Sequence, residues 1–212
     1  MPLFETVFTT APHRDRCEDR VRVYDYEDRT VIVVADGAGE IGSGEFAAES
    51  VACEVKELLA RCNSAESWEE SLRHLDLKIS SGESTCVVVD LRADRICGAS
   101  VGDSQAWIIA EGEILELTRH QNRKPLLGSQ SAEPVGFDAG PLRGLLVVAT
   151  DGFCNYVKRN MLLHAIAEWE FVTSARKCVE LVRLPTGELW DDVGIVVCRR
   201  KPVMRSRKRY EI

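Results

Sequence analysis

Two stretches of this sequence end in the same way. Val31-Ile32-Val33-Val34-Ala35 and Leu145-Leu146-Val147-Val148-Ala149 are apolar, largely β-branched runs, and they close on Asp36-Gly37 and Thr150-Asp151-Gly152. Such a run suits a buried strand, and the glycine lets the chain turn, which leaves each aspartate at a strand exit. Two acidic pairs, Glu18-Asp19 and Asp191-Asp192, stand just before the strand-like Val21-Arg22-Val23-Tyr24 and Val193-Gly194-Ile195-Val196-Val197-Cys198. In an antiparallel sheet the exit of one strand lies beside the entrance of its neighbour, so these acids are expected to converge on one edge. Clustered carboxylates repel one another and call for a cation. Oxygen donors without a His or Cys partner suit Mg2+ or Mn2+ better than Zn2+.

The elements that must position these acids follow from the periodicity. Residues 44–61 place Ala47, Val51, Val55, Leu58 and Leu59 at the spacing of one helix face, and a second helix is expected over 67–79. Residues 84–91, 95–101, 105–110 and 114–117 read as strands of an antiparallel meander, separated by short polar turns. Residues 119–144 contain Gly and Pro without a clean period and read as loop. Helices are expected over 155–169 and 173–184, with Pro185-Thr186-Gly187 ending the second. This order predicts an α+β protein, two antiparallel sheets packed as a sandwich with helices on both sides, rather than a βαβ alternation.

A chain of 212 residues with 45% apolar content is sized for one domain with a full core. Met1-Pro2-Leu3-Phe4-Glu5-Thr6 has neither a basic end nor an apolar stretch, so no targeting segment is expected. The apolar runs are too short for a membrane span. The eight cysteines include no Cys-x-x-Cys and several lie in apolar runs, which points to reduced thiols and a cytoplasmic location. Residues 199–209 hold seven basic side chains and no acidic ones, so residues 1–198 carry 20 basic against 33 acidic groups, a net charge of -13. That balance disfavours nucleic acid as a partner of the body. The expected division is a domain over 1–198 and a basic tail over 199–212, which either meets an acidic surface or is simply solvated.

A competing motif lies beside the first aspartate. Gly37-Ala38-Gly39-Glu40-Ile41-Gly42 is a literal G-x-G-x-x-G between a strand and a helix, the pattern of a dinucleotide-binding turn. That reading requires a second apolar strand directly after the helix, where this chain has Arg61-Cys62-Asn63-Ser64-Ala65-Glu66. It would also set Asp36 beside a pyrophosphate.

Taken in order, Arg14-Asp15-Arg16-Cys17-Glu18-Asp19, Asp36-Gly37-Ala38-Gly39 with Gly44-Glu45, Ser84-Thr85, Gly102-Asp103-Ser104, Leu117-Thr118, Thr150-Asp151-Gly152 and Asp191-Asp192 resemble the metal-dependent type 2C (PPM) family of serine/threonine protein phosphatases, in its small bacterial form. The resemblance spans residues 14–198. It implies two Mn2+ or Mg2+ ions in a cleft at one edge of the sandwich, with a third, weaker ion possible at Asp103. Asp36 would be shared by both ions and the Gly37 carbonyl would add a ligand. Asp151 and Asp191 would complete the second ion's shell, Glu18 and Asp19 would bind directly or through water, and Arg14 would clamp the phosphate. Asp192 is expected to be a structural neighbour of Asp191, and the four histidines receive no metal role.

Three departures from the family pattern are visible. Ala38 stands where many members carry His as a candidate general acid, Asn155 stands where an Asp is common, and residues 119–144 are short for a mobile flap. The implied function is hydrolysis of phosphoserine or phosphothreonine in proteins by a water activated between two ions, in a monomeric, cytoplasmic enzyme paired with a cognate Ser/Thr kinase. A catalytically weak regulatory module that binds a phosphoprotein or kinase is the alternative, although a pure binding module has no need of clustered carboxylates that are costly to bury.

Overall fold

The computed structural model describes residues 2–40 and 42–202. In chain order the elements are β1 (Phe4–Ala11), β2 (Arg20–Asp25), β3 (Arg29–Ala35), β4 (Gly37–Ala38), α1 (Ser43–Leu58), α2 (Ala65–Asp76), β5 (Glu83–Ser84), β6 (Cys86–Arg92), β7 (Ile96–Val101), β8 (Gln105–Ala110), β9 (Glu113–Glu116), β10 (Val135–Ala139), β11 (Leu145–Ala149), α3 (Asp151–Cys154), α4 (Arg159–Ala167), α5 (Ser174–Val182) and β12 (Val193–Arg200). Two five-stranded antiparallel sheets result, with strand orders β1-β12-β11-β8-β9 and β10-β7-β6-β3-β2, and β4 and β5 form a small third pairing.

The alternation of side chains along each strand builds three apolar layers. Ile32 and Val34 of β3 meet Leu146, Val148 and Val196 in the layer between the sheets. Val31 and Val33 point the other way, onto Val51, Val55, Trp68 and Leu72 of α1 and α2. On the opposite side Val147, Ile195 and Val197 pack on Phe153, Leu162, Cys178 and Val179 of α3, α4 and α5. Every residue of β3 is buried, and its last five, Val31 to Ala35, read as an unbroken apolar run.

Register then delivers the acids. Arg20 pairs with Ala35, so Asp19 at the entrance of β2 lies beside Asp36 at the exit of β3. Ala149 pairs with Ile195, and the Thr150 N–H continues the ladder to the Gly194 carbonyl at 2.9 Å. Each sheet therefore contributes one exit and one entrance, and the face-to-face packing joins the two pairs. This corrects the expectation that a single sheet edge gathers all of them.

Other differences have plain causes. The run 119–144 is not all loop: β10 adds an edge strand to β7. Its Gly136 and Asp138 are poor strand formers, and a side chain at Gly136 would press on Ala65 of α2. The segment expected as one helix over 155–169 is instead α3, beginning at Asp151, followed by α4. β12 runs through Arg200, with Arg199 paired to Glu5 on β1, so the first two basic residues of the expected tail belong to the sheet. Residues 203–212 of that tail lie outside the described residues. Finally, all strand pairs among the described residues are antiparallel, and Gly37 pairs with Ser84 in the β4–β5 ladder. The glycine motif thus lacks the parallel βαβ frame that a dinucleotide turn requires. No helix among the described residues is long and apolar enough to cross a membrane.

Candidate metal centre

Asp36, Asp103 and Asp151 come from the ends of three different strands, and their carboxylate oxygens lie within 4.8 Å of one another. Their placement depends on hydroxyls that neighbouring strand ends supply. The Asp36 N–H donates to Thr85 Oγ1 at 3.0 Å and the Asp36 carbonyl accepts from the Thr85 N–H at 2.8 Å. Thr85 Oγ1 in turn bonds Ser104 Oγ at 2.7 Å, which ties the Asp103-Ser104 turn to the same point. On the other side, Thr150 Oγ1 donates to Asp19 Oδ2 at 2.8 Å and accepts from the Gly194 N–H at 2.9 Å.

Asp19 is 2% exposed, and its Oδ1 is buried without a hydrogen-bond partner among the described residues. A buried carboxylate oxygen with no donor is expensive unless a cation or water meets it. The local charge says the same. Burial, followed by the fields of Asp19, Asp151, Asp191 and Asp103, pushes the Asp36 carboxyl up to about 10. Burial and Asp192 push Asp19 up to about 7 against the opposing bond from Thr150. Burial, with Asp103 and Asp191, raises Asp151 to about 6. Glu18 is raised as well, by burial first and then by Asp192 and Glu45. These carboxylates are held together against their mutual repulsion, and a divalent cation would relieve it.

Glu18 and Gly37 meet the first turn of α1. A side chain at Gly37 would collide with the Gly44 carbonyl, and one at Gly44 would strike Glu18 Oε2, so both positions need glycine for close approach. Glu18 is thereby set at the N-terminus of a helix, where an anion is favoured. Asp192 has a different role. Its oxygens accept from the His13 N–H and the Glu18 N–H, each at 2.6 Å, which fastens the loop 13–18 to the strand entrance. Asp191 accepts from the Asp192 N–H at 2.9 Å, and its charge reaches Asp36 and Asp151. Arg14 lies in the fastened loop, exposed, with no hydrogen bond or ion pair among the described residues. Exposed Tyr156 and Trp190 stack at 5.9 Å and join the segments that carry Asp151 and Asp191.

A family profile described as protein phosphatase 2C matches residues 12–181. The chain belongs to the protein phosphatase 2C family. No curated protein matches it. Solved structures of phosphatases share the fold at low identity. The catalytic domain of the serine/threonine protein phosphatase PstP, in complex with two manganese ions, is 18% identical with a TM-score of 0.78, covering 93% of this chain and 98% of that one. A Streptococcal relative, the S. agalactiae serine/threonine phosphatase, is 17% identical with a TM-score of 0.80 over 93% of this chain and 100% of that one. Stp1 from Staphylococcus aureus is 20% identical with a TM-score of 0.78, over 95% and 96%.

Within this protein phosphatase 2C fold the sequence-predicted acids Asp19, Asp36, Asp103, Asp151 and Asp191 act on one another, and Glu18 borders them. They could hold divalent cations through oxygen donors alone. Sequence reading did not single out Thr150, Thr85 or Ser104 as supports, nor Arg123, whose Nε donates to Asp103 Oδ2 at 2.8 Å. Thr85, Ser104 and Thr150 are visible beforehand only as members of the blocks that carry the family resemblance.

Proposed function

We propose that the protein is a Mn2+- or Mg2+-dependent phosphatase that hydrolyses phosphoserine and phosphothreonine in proteins. The observation that carries this reading is the unpartnered, buried Asp19 oxygen within a cluster of acids from both sheets, in a chain of the protein phosphatase 2C family. The donor set fits hard cations: carboxylates and one backbone carbonyl, without sulfur or imidazole. Asp36, the Gly37 carbonyl, Asp151 and Asp191 would hold two ions, with Glu18 and Asp19 bordering them directly or through water. When bound, such a pair supplies Lewis-acid stabilisation of the attacking and leaving oxygens and a water of lowered pKa.

The chain supplies the rest. Thr85 and Thr150 fix Asp36 and Asp19, and Asp192 fixes the loop that carries Arg14. The free guanidinium of Arg14 would take two phosphate oxygens through its planar fork. Ala38 brings no proton donor to the leaving oxygen. It lines an open cleft of about 570 Å³ together with Glu40, Ser43, Glu83 and Lys124, where a polypeptide substrate could lie. The substrate's partner enzyme would be a Ser/Thr kinase, and a monomer in the cytoplasm is the expected form. Phosphate release from a phosphothreonine peptide tests this reading: it should cease in chelator and return on adding Mn2+, whereas undiminished release in chelator would overturn it.

A further inference from the structure

Asp36, Asp103 and Asp151 form a triangle within the negative cluster, their carboxylate oxygens within 4.8 Å of one another. Two of its corners are already engaged by the chain's own donors. Arg123 Nε donates to Asp103 Oδ2 at 2.8 Å, and its positive charge also reaches Asp151. Asn155 Nδ2 donates to Asp151 Oδ2 at 3.0 Å. The two donors arrive from separate elements, Arg123 from the loop between β9 and β10 and Asn155 from the C-cap of α3.

We infer that Arg123 is a tethered cation which, with the amide of Asn155, stands in for a divalent ion at Asp103 and leaves the protein with two ion positions rather than three. This rests on the metal reading of Asp36 and Asp151 given above. A guanidinium stays charged throughout the accessible pH range and matches a carboxylate in shape, so Arg123 neutralises Asp103 without any ion being dehydrated. Asn155 donates an N–H to Asp151 and, being neutral, brings one negative charge fewer to a cation than an aspartate there would.

The closure is reversible. The Arg123 side chain is 74% exposed and that of Asp103 25%, so the pair is held by the head group alone, and exposed pairs of this kind are weak and screened by salt. A divalent ion at high concentration would therefore compete with Arg123 for Asp103. The same exposure means that replacing Arg123 removes little packing.

Mn2+ titration of metal-free protein, followed by calorimetry with free-ion counting by electron paramagnetic resonance, tests the inference. The parent should take up two ions per chain. Arg123→Gln should gain a third, or bind its weakest ion more tightly by up to about fivefold, the scale of one exposed ion pair removed. Arg123→Lys, which keeps the charge but not the fork, should fall between them, and Asn155→Asp should also favour the third ion. Arg119→Gln serves as a control for general charge and should bind as the parent does. A parent that already binds three ions as tightly as Arg123→Gln, or an Arg119→Gln variant that gains as much, would overturn the inference while leaving the metal reading intact. A parent that binds no Mn2+ would overturn both.

Discussion

Replacing Asp151 by Asn should make the metal-free protein more stable while removing its activity. The carboxyl is raised from its ordinary 3.8 to about 6 by burial and by Asp103 and Asp191. A raised carboxyl stabilises the fold fully below pH 3.8, and that contribution is lost as pH rises through about 6. The interval corresponds to about 3 kcal/mol at about 1.4 kcal/mol per pH unit, and we halve it because the group is partly open to screening solvent. Asp151→Asn removes the charge at nearly constant volume, and its amide oxygen can still accept from Asn155. In chelator at pH 8 the variant should therefore gain about 1–2 kcal/mol, or about 3–6 °C in Tm for a domain of this size. At pH 4 the gain should vanish, because the parent carboxyl is then largely neutral. With Mn2+ present the order should reverse, since the parent gains more ion-linked stability than a variant that has lost a ligand of one ion, and turnover of the variant should fall by at least about 100-fold. Urea unfolding at both pH values, with and without Mn2+, reads all of this. A variant less stable than the parent in chelator at pH 8, or a gain independent of pH, would refute the reasoning.

Arg14→Ala should raise KM more than it lowers kcat, as loss of ground-state phosphate binding does. Because Arg14 has no partner among the described residues, stability should stay within about 0.5 kcal/mol. Kinetics equal to the parent's would assign the phosphate to another group. Ala38 should give a strong preference for aryl over alkyl phosphates in kcat/KM, since a positioned acid would add about 10²- to 10⁴-fold for a poor leaving group. Ala38→His should narrow that preference by speeding the alkyl substrate. An unmoved ratio in a folded, metal-loaded variant would point to another proton source, and Lys124 in the same cleft would be the first to examine.

How much of this was legible in the sequence depends on burial. β3 and β11 announce themselves because packing on both faces selects continuous apolar, β-branched runs, and the aspartates at their ends inherit that clarity. β1 is harder to see. It is an edge strand whose Phe4 is buried while Phe8 is 55% exposed, so its alternation carries polar threonines and no unbroken apolar run. β10 is obscured by Gly136, kept small by α2. In the site, residue type reveals the acids but not their supports. Thr150 reaches Asp19 across 131 positions, and Arg123 reaches Asp103 only because the loop after β9 folds back. Such contacts exist in the tertiary structure and leave no local pattern.

The central proposal is that Asp36 would serve two divalent ions at the meeting of the two sheets. Anomalous diffraction from a crystal soaked in Mn2+ tests it most directly. The account predicts two strong peaks, both within coordinating distance of the Asp36 carboxylate, one shared with Asp151 and Asp191 and the other beside the Gly37 carbonyl. Peaks confined to other surfaces, with Asp36 and Asp19 Oδ1 bare at saturating Mn2+, would contradict it.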